Sequence, residues 1–344
     1  MQVVKKALFL IFLGVLSLTL FHYEAGAETE KERVKKLIEG AKKEGTVMFY
    51  GSTPTKAGRV LIKPFEKKYP FLKVKHYRAG SDTLLQKILT ETRANKYLAD
   101  VYNIRSSEAY ILVEKGLFAQ YASPQIKFYP KGFREPKGHW TSFYMNPATI
   151  GYNSRLVPPD QAPKDWSDLL DPKWKGQMVI DREETNWFAN MLKVMGREKG
   201  LDFMKKLAGQ DLTFRAGHTL MAQLVAAGEY KVGVVLYTPR MESMKAMGAP
   251  IEWVRANPVI AYHYALGVAA KGPHPNAARL FVDFLLSKRG QELMVKTTRV
   301  PVRVDVKPKP PHLVEGVNLL PTDTALDKDY KKYFKEYRRV FNAP

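Results

Sequence analysis

The chain contains no cysteine, which excludes disulfides, thiolate catalysis and attachment of a lipid at a lipobox cysteine. It also lacks the short signatures of common hydrolytic and nucleotide chemistry, namely G-x-S-x-G, the P-loop, G-x-G-x-x-G and H-E-x-x-H. Histidines 76, 139, 218, 263, 274 and 312 are never spaced i,i+4, so no helical pair is set to hold zinc. Asp181, Glu183 and Glu184 form the one acidic cluster near a candidate site, so a binding role is expected rather than catalysis, with no cofactor. Acidic residues are scarce overall: 34 Asp and Glu against 55 Lys and Arg leave a net charge of +21. Such an excess favours anionic partners. The cations are nevertheless scattered among acids, as in KDYKKYFKEYRR over 328–339, a solvated helix face. No helix-turn-helix, zinc-finger spacing or RNA-binding aromatic motif accompanies them, so no nucleic-acid partner is expected.

One long apolar run is present. Lys5 and Lys6 precede residues 7–21, and Ala25-Gly26-Ala27 offers the small-residue site that signal peptidase needs. The run falls short of the roughly 20 residues of a membrane span. Residues 1–27 are therefore expected to be a cleaved signal peptide, with the mature protein in the periplasm of a Gram-negative host. More than about 300 residues remain, beyond the size at which single cores stop growing, so two domains are expected. With 45% hydrophobic and 26% charged residues the composition is that of an ordinary globular protein, without repeats or low-complexity segments.

The pattern is α/β. Residues 46–50 read as a strand, 56–69 as a helix, 72–77 as a strand, then a helix capped by Ser81 with Leu84, Leu85, Ile88 and Leu89 in one stripe, then a strand over 99–103. Alternation of strands with helices implies mainly parallel pairing, which brings the strand C-termini to one edge, where ligand sites of such sheets lie. That rule selects Ser52 and Thr53 after the first strand, Ser81 after the second and Arg105 after the third. Ser81 also stands where a helix begins, and free N–H groups there favour an anion, although a serine at a helix start also serves as a simple cap.

Residues 143–180, FYMNPATIGYNSRLVPPDQAPKDWSDLLDPKWKGQMVI, read as a strand leaving one domain and a turn and helix opening another. Pro158-Pro159 forces an extended connection, Asp165 is placed to cap a short helix over 163–170, and Asp171-Pro172 stops it. This order closely resembles the periplasmic solute-binding proteins of ABC importers, especially the branch with the ferric-iron binders. EGTVMFYG (44–51), PFEKKYP (64–70), ADVYN (99–103), AAGEYKVG (226–233) and NAARLFVDFLLSKRGQEL (276–293) extend the resemblance across nearly the whole mature chain.

The resemblance implies a two-domain periplasmic-binding-protein-like fold of type II: two α/β lobes joined by crossing hinge strands, with a ligand cleft between them. The first lobe is expected over 28–140 plus 262–305 and the second over 141–261 plus 306–344, with crossings near 140–150 and 258–269 and the last helices docked on the second lobe. It implies a monomer that captures a small solute or metal and delivers it to an inner-membrane ABC permease. The second wall is expected from Asp181, Arg215, Tyr237 and Thr238, with Leu220, Met221, Leu224 and Val225 turned to the core. Tyr144, Trp187 and Tyr237 are candidates to wall in an organic group. Ferric binders of this family carry two adjacent tyrosines where this chain has Tyr237-Thr238. One phenolate is missing. Arg105 and Arg215 therefore favour a phosphonate, phosphate ester or carboxylate, and iron, held by Tyr144, Asp181 and Tyr237, is the alternative.

Overall fold

The computed structural model describes residues 29–344; the expected signal peptide lies outside the described residues. The chain opens with α1 (Glu30–Glu44), closed at its start by a reciprocal Thr29–Glu32 capping box. There follow β1 (Thr46–Gly51), α2 (Thr55–Lys68), β2 (Lys73–Arg78), α3 (Ser81–Arg93), β3 (Val101–Arg105) and α4 (Ser106–Glu114). β4 (Thr141–Asn153) leaves this half. The next half holds β5 (Met178–Asp181), α5 (Thr185–Met195), α6 (Arg197–Ala208), β6 (Thr213–Arg215), α7 (His218–Ala227), β7 (Val232–Tyr237), α8 (Thr238–Lys245) and β8 (Ile251–Trp253). β9 (Val259–Val268) returns, followed by α9 (Pro275–Leu286), α10 (Lys288–Val295), β10 (Leu319–Pro321) and α11 (Tyr330–Phe341).

The sheet order is β2-β1-β3-β9-β4-β7-β5-β6. β1 pairs in parallel with β2 and β3, and β5 with β6 and β7. β4 and β9 break this pattern: they run antiparallel to each other, with Thr141 opposite Leu266 at one end and Ala148 opposite Ile260 at the other. β9 pairs onward with β3 and β4 with β7. Two antiparallel strands are thus the rail on which the two parallel halves are mounted.

Period-2 alternation buries both faces of each half. On β1, Phe49 joins Leu61, Phe65 and Phe281 under α2 and α9, whereas Tyr50 joins Leu84, Ile88 and Tyr102 under α3. On β5, Ile180 meets Trp166, Trp187 and Phe188, and Val179 meets Met221 and Leu236. Tyr337 and Phe341 of α11 pack on Phe188, so the last helix docks where the resemblance implied. The chain after 305 also serves the other half, since Leu313 joins the cluster of Phe49 and Phe65.

Some local expectations are corrected. The helix over 163–170 is a single 3-10 turn, Trp166–Leu170, capped by Asp165 with Asp168 in reciprocal contact; Asp171-Pro172 leaves no room for another turn. Ser81 is the first residue of α3 rather than its cap, which is Gly80. Leu220 is 44% exposed, whereas Met221 and Val225 of the same helix are buried. Trp187 is wholly buried against Trp166 and so walls in no ligand.

Candidate functional site

The sheet geometry brings the C-terminal ends of β3, β5, β6 and β7 to one cleft of about 190 Å³. Arg105 enters from one side. Asp181, Arg182, Glu183, Glu184, Gly217, His218 and Tyr237 form the opposite wall, Tyr262 of β9 lies between, and Tyr330 comes from the start of α11. Four helices begin at this lining, and their N-cap residues, Arg105, Glu184, Gly217 and Tyr237, give no side-chain cap hydrogen bond. The positive ends of four helix dipoles therefore meet at the cleft.

Arg105 ends β3. Its guanidinium lies 3.4 Å from Asp82 and 3.6 Å from Glu108, and its Nε is buried without a hydrogen-bond acceptor. The adjacent Glu108 holds the guanidinium firmly protonated. Burial raises the Glu108 carboxyl, against the pull of Arg105. The Nε faces the Glu108 carboxylate at 3.6 Å, an ion pair slightly too long for a hydrogen bond.

On the opposite wall Asp181 is braced. Its carboxylate accepts from the N–H of Glu183 at 2.9 Å and of Gly217 at 2.7 Å, tying the loop after β5 to the loop after β6. Gly217 sits at φ +95°, a conformation that costs glycine little. Glu184 is 3% exposed and accepts a hydrogen bond from the Tyr262 hydroxyl. Burial, and then the charge of Asp181, push its carboxyl up to about 8. At neutral pH it is mostly the uncharged acid, able to donate as well as accept.

His218 starts α7. Its Nδ1 lies 3.0 Å from the Val235 carbonyl, which fixes the proton on that nitrogen. Nε2 is left facing Glu184 Oε2 at 3.6 Å, and burial lowers the ring's affinity for a second proton. The ring stacks on Tyr237 with centroids 3.9 Å apart, and Tyr262 meets Tyr237 edge-on at 5.7 Å. Burial raises the phenols of Tyr237 and Tyr262 well above their ordinary range and that of Tyr330 to about 12. The cleft thus presents neutral hydroxyls and ring faces beside two arginines, Arg105 and Arg182, and the carboxyl groups of Asp181 and Glu183.

Of the expected site residues, Arg105, Asp181 and Tyr237 meet here. Ser81 supports one of them, since its Oγ accepts from the Arg105 N–H at 3.1 Å. Thr53 is buried and donates to Asn103 at 2.8 Å. Ser52 and Thr238 carry buried hydroxyls without partners but do not line the cleft. Tyr144 is buried in β4, stacked on Tyr264 at 4.5 Å. Arg215 turns away, 3.7 Å from Glu229 and 5.8 Å above the Tyr230 ring. Sequence reasoning missed Tyr262 and Tyr330, named Glu184 only as part of an acidic cluster and gave His218 no place in the site, although both line the cleft.

Two α/β halves on antiparallel rails, with polar strand ends facing one cleft, define a two-lobed solute-binding protein. The chain belongs to the bacterial extracellular solute-binding protein family, whose model matches residues 106–326. It is 31% identical over 273 residues to an uncharacterized protein of Haemophilus influenzae, covering 74% of this chain and 77% of that one. It is 24% identical over 240 residues to the Fe(3+)-binding periplasmic protein of Serratia marcescens, covering 65% and 68% respectively. Among solved structures it resembles the periplasmic binding protein AfuA from Actinobacillus pleuropneumoniae with exogenous fructose-6-phosphate bound, at TM-score 0.74 and 24% identity over 88% of this chain and 100% of that one.

Proposed function

We propose that this chain is the periplasmic binding component of an ABC importer and captures a small organic solute bearing an oxyanion of the phosphonate, phosphate-ester or carboxylate type. The observation that carries the reading is the Arg105 guanidinium on the lining of a cleft where four helices begin without side-chain caps. Each feature favours an anion. The stacked His218 and Tyr237 rings supply an apolar face for the organic part, and protonated Glu184 supplies a donor to an anion where a carboxylate would repel it. The solute lies between lobes of 28–140 plus 262–305 and 141–261 plus 306–344, bending about β4 and β9, and the closed monomer is handed to the permease. Binding favours closure because contacts from both walls form together only in the closed state.

Ferric iron is the second reading, favoured by the Tyr237, Tyr262 and Tyr330 phenols lining one cleft and by the Fe(3+)-binding role of the Serratia relative. One feature counts against it: Thr238 stands where the second adjacent tyrosine would be. Native mass spectrometry and elemental analysis of protein as purified, followed by melting shifts with phosphomonoesters, phosphonates, carboxylates and ferric citrate, separate the readings. Stabilisation by an oxyanion-bearing organic solute in iron-free protein is the expected result; stoichiometric iron would overturn it.

A further inference from the structure

A groove of about 500 Å³ lies between the start of α6 and the exposed face of α11, lined by Arg197, Lys331, Lys332, Lys335, Glu336 and Arg339. Phe203, Met204 and Leu207 of α6 share one hydrophobic cluster with Tyr337 and Phe341 of α11, so the groove belongs to that half alone and not to the space between the halves. None of its lining residues lines the Arg105 cleft.

Five of the six lining residues are cations. Lys331, Lys332 and Lys335 are exposed and, among the described residues, have no ion pair. Lys331, Lys335 and Arg339 are spaced i,i+4,i+8, a stripe of like charges that weakens the helix slightly. Lysines alone would be a solvated helix face; the acid among them is what sets this one apart. Glu336 is 7% exposed. Its Oε1 accepts from Arg197 at 2.6 Å, and Arg339 stands 4.0 Å from the same oxygen. Its Oε2 is buried and has no donor. The carboxylate is thus committed to Arg197, the lysines stay unneutralised, and a buried acceptor stands open beside them, which is costly.

A bare anion answers the cations only, whereas a phosphate that also carries hydroxyl donors answers both the cations and Glu336. The surface is unlike that of a protein partner. Cores of protein interfaces are rich in aromatic residues and poor in lysine, and no large apolar side chain of α11 is exposed.

We propose that this groove binds the phosphate-and-polyol headgroup of an anionic lipid, with the lysines and Arg339 facing the phosphate and Glu336 Oε2 accepting from a headgroup hydroxyl, so that the protein adsorbs to an anionic membrane surface through α11. Tyr330 at the start of α11 lines the cleft, so adsorption would hold the cleft within roughly 18 Å, one length of this helix, of the groove and the headgroup in it.

The probes are vesicles of phosphatidylcholine mixed with phosphatidylglycerol or, at equal charge, with phosphatidylmethanol, which has no hydroxyl; phosphatidylcholine alone is the blank. Cosedimentation of the mature protein is measured, with folding checked by circular dichroism. The expected result is binding to both anionic mixtures, stronger to phosphatidylglycerol, and weakened by salt. Replacing both Lys331 and Lys335 by Gln should cut it roughly fivefold per charge, whereas replacing Lys63 and Lys67, exposed on α2 of the other half, should leave it unchanged. In Glu336→Gln, Arg197 keeps the amide oxygen and turns the NH2 towards the open position, so the preference for phosphatidylglycerol should vanish while binding to phosphatidylmethanol persists. No binding above the blank, or equal losses from the two lysine pairs, would overturn the proposal. So would capture by polyglutamate or by glycerol phosphate without vesicle binding, the first indicating an acidic protein partner and the second a soluble phosphate ester. A preference for phosphatidylglycerol that is absent, or that survives Glu336→Gln, would overturn the headgroup assignment. The function proposed for the cleft is read separately through solute binding by Arg105→Gln, and its failure would leave this outcome intact.

Discussion

The wall built after β3 and the wall built after β5, β6 and β7 begin from one geometry, a parallel strand ending at an uncapped helix, and finish with different chemistry. The first presents a cation, Arg105, whose neighbours Ser81, Thr53 and Asn103 are engaged with one another or with its backbone. The second presents a neutral acid, a neutral imidazole and stacked phenol rings around a braced Asp181, with Arg182 and Glu183 beside it. A single helix-end motif thus ends in a lone guanidinium on one side and in a mixed wall of rings, acids and one arginine on the other. Under the proposed function, closure would bring the two together, with neither wall alone complementary to a charged organic solute.

The largest expected effect tests whether Glu184 of the second wall is neutral. Glu184 is held near 8 in the fold against an ordinary value of 4.5, so the folded state binds the extra proton. The stability this confers is fully present below pH 4.5 and is lost as pH rises through 8, by at most about 5 kcal/mol at 1.36 kcal/mol per unit. Urea unfolding of Glu184→Gln should show that decline removed between pH 4.5 and 8. An unchanged slope would mean that Glu184 is charged in the fold and that the walls are not divided as described.

A smaller effect of opposite sign lies on the rail. His263 is buried between Ser142 Oγ at 2.8 Å and the Thr322 carbonyl at 3.1 Å, and burial lowers it from 6.5 to about 4. Here the unfolded chain binds the extra proton. The stability is present above pH 6.5 and falls away towards pH 4, by about 3 kcal/mol at most. His263→Gln should flatten the acid limb that Glu184→Gln leaves in place, and identical curves for the two variants would refute the assignment.

Next comes the charged wall itself. Arg105→Ala withdraws a charge-assisted contact worth about 1.5–3 kcal/mol, so oxyanion affinity measured by calorimetry should fall by roughly 10- to 150-fold. Unchanged affinity would remove the cation from the binding wall.

Much of this contrast was legible before any coordinates. The strand-to-helix junctions at Arg105 and Tyr237 follow from turn chemistry and from the rule that sites lie at strand C-termini, and both residues reach the cleft. Arg215 stands at an equivalent junction and does not, because its long side chain finds Glu229 and Tyr230, partners set by tertiary packing. Tyr262 was hidden for the converse reason: it lies inside a strand otherwise apolar. Its signal was the run Tyr262-His263-Tyr264, where alternation turns the two tyrosines to one face and the histidine to the other. Tyr330 was obscured by a charged helix that reads as solvated throughout, although Tyr337 and Phe341 mark its buried side.

Tyr237→Phe makes the smallest change and discriminates most sharply between ligands. The phenol is half-buried and neutral, stacked on His218, so removing its hydroxyl leaves the ring contact and takes away one neutral hydrogen bond. An oxyanion-bearing solute should then lose about 0.5–1.5 kcal/mol, no more than roughly tenfold in affinity. That is less than the loss from Arg105→Ala, and the order of the two variants is itself the prediction. A ferric ion would invert that order. Tyr237 would then be a phenolate ligand, so its loss should bleach the visible phenolate-to-iron absorption and collapse affinity, while Arg105→Ala would leave the metal bound. Calorimetry of both variants beside their visible spectra therefore decides between the two chemistries.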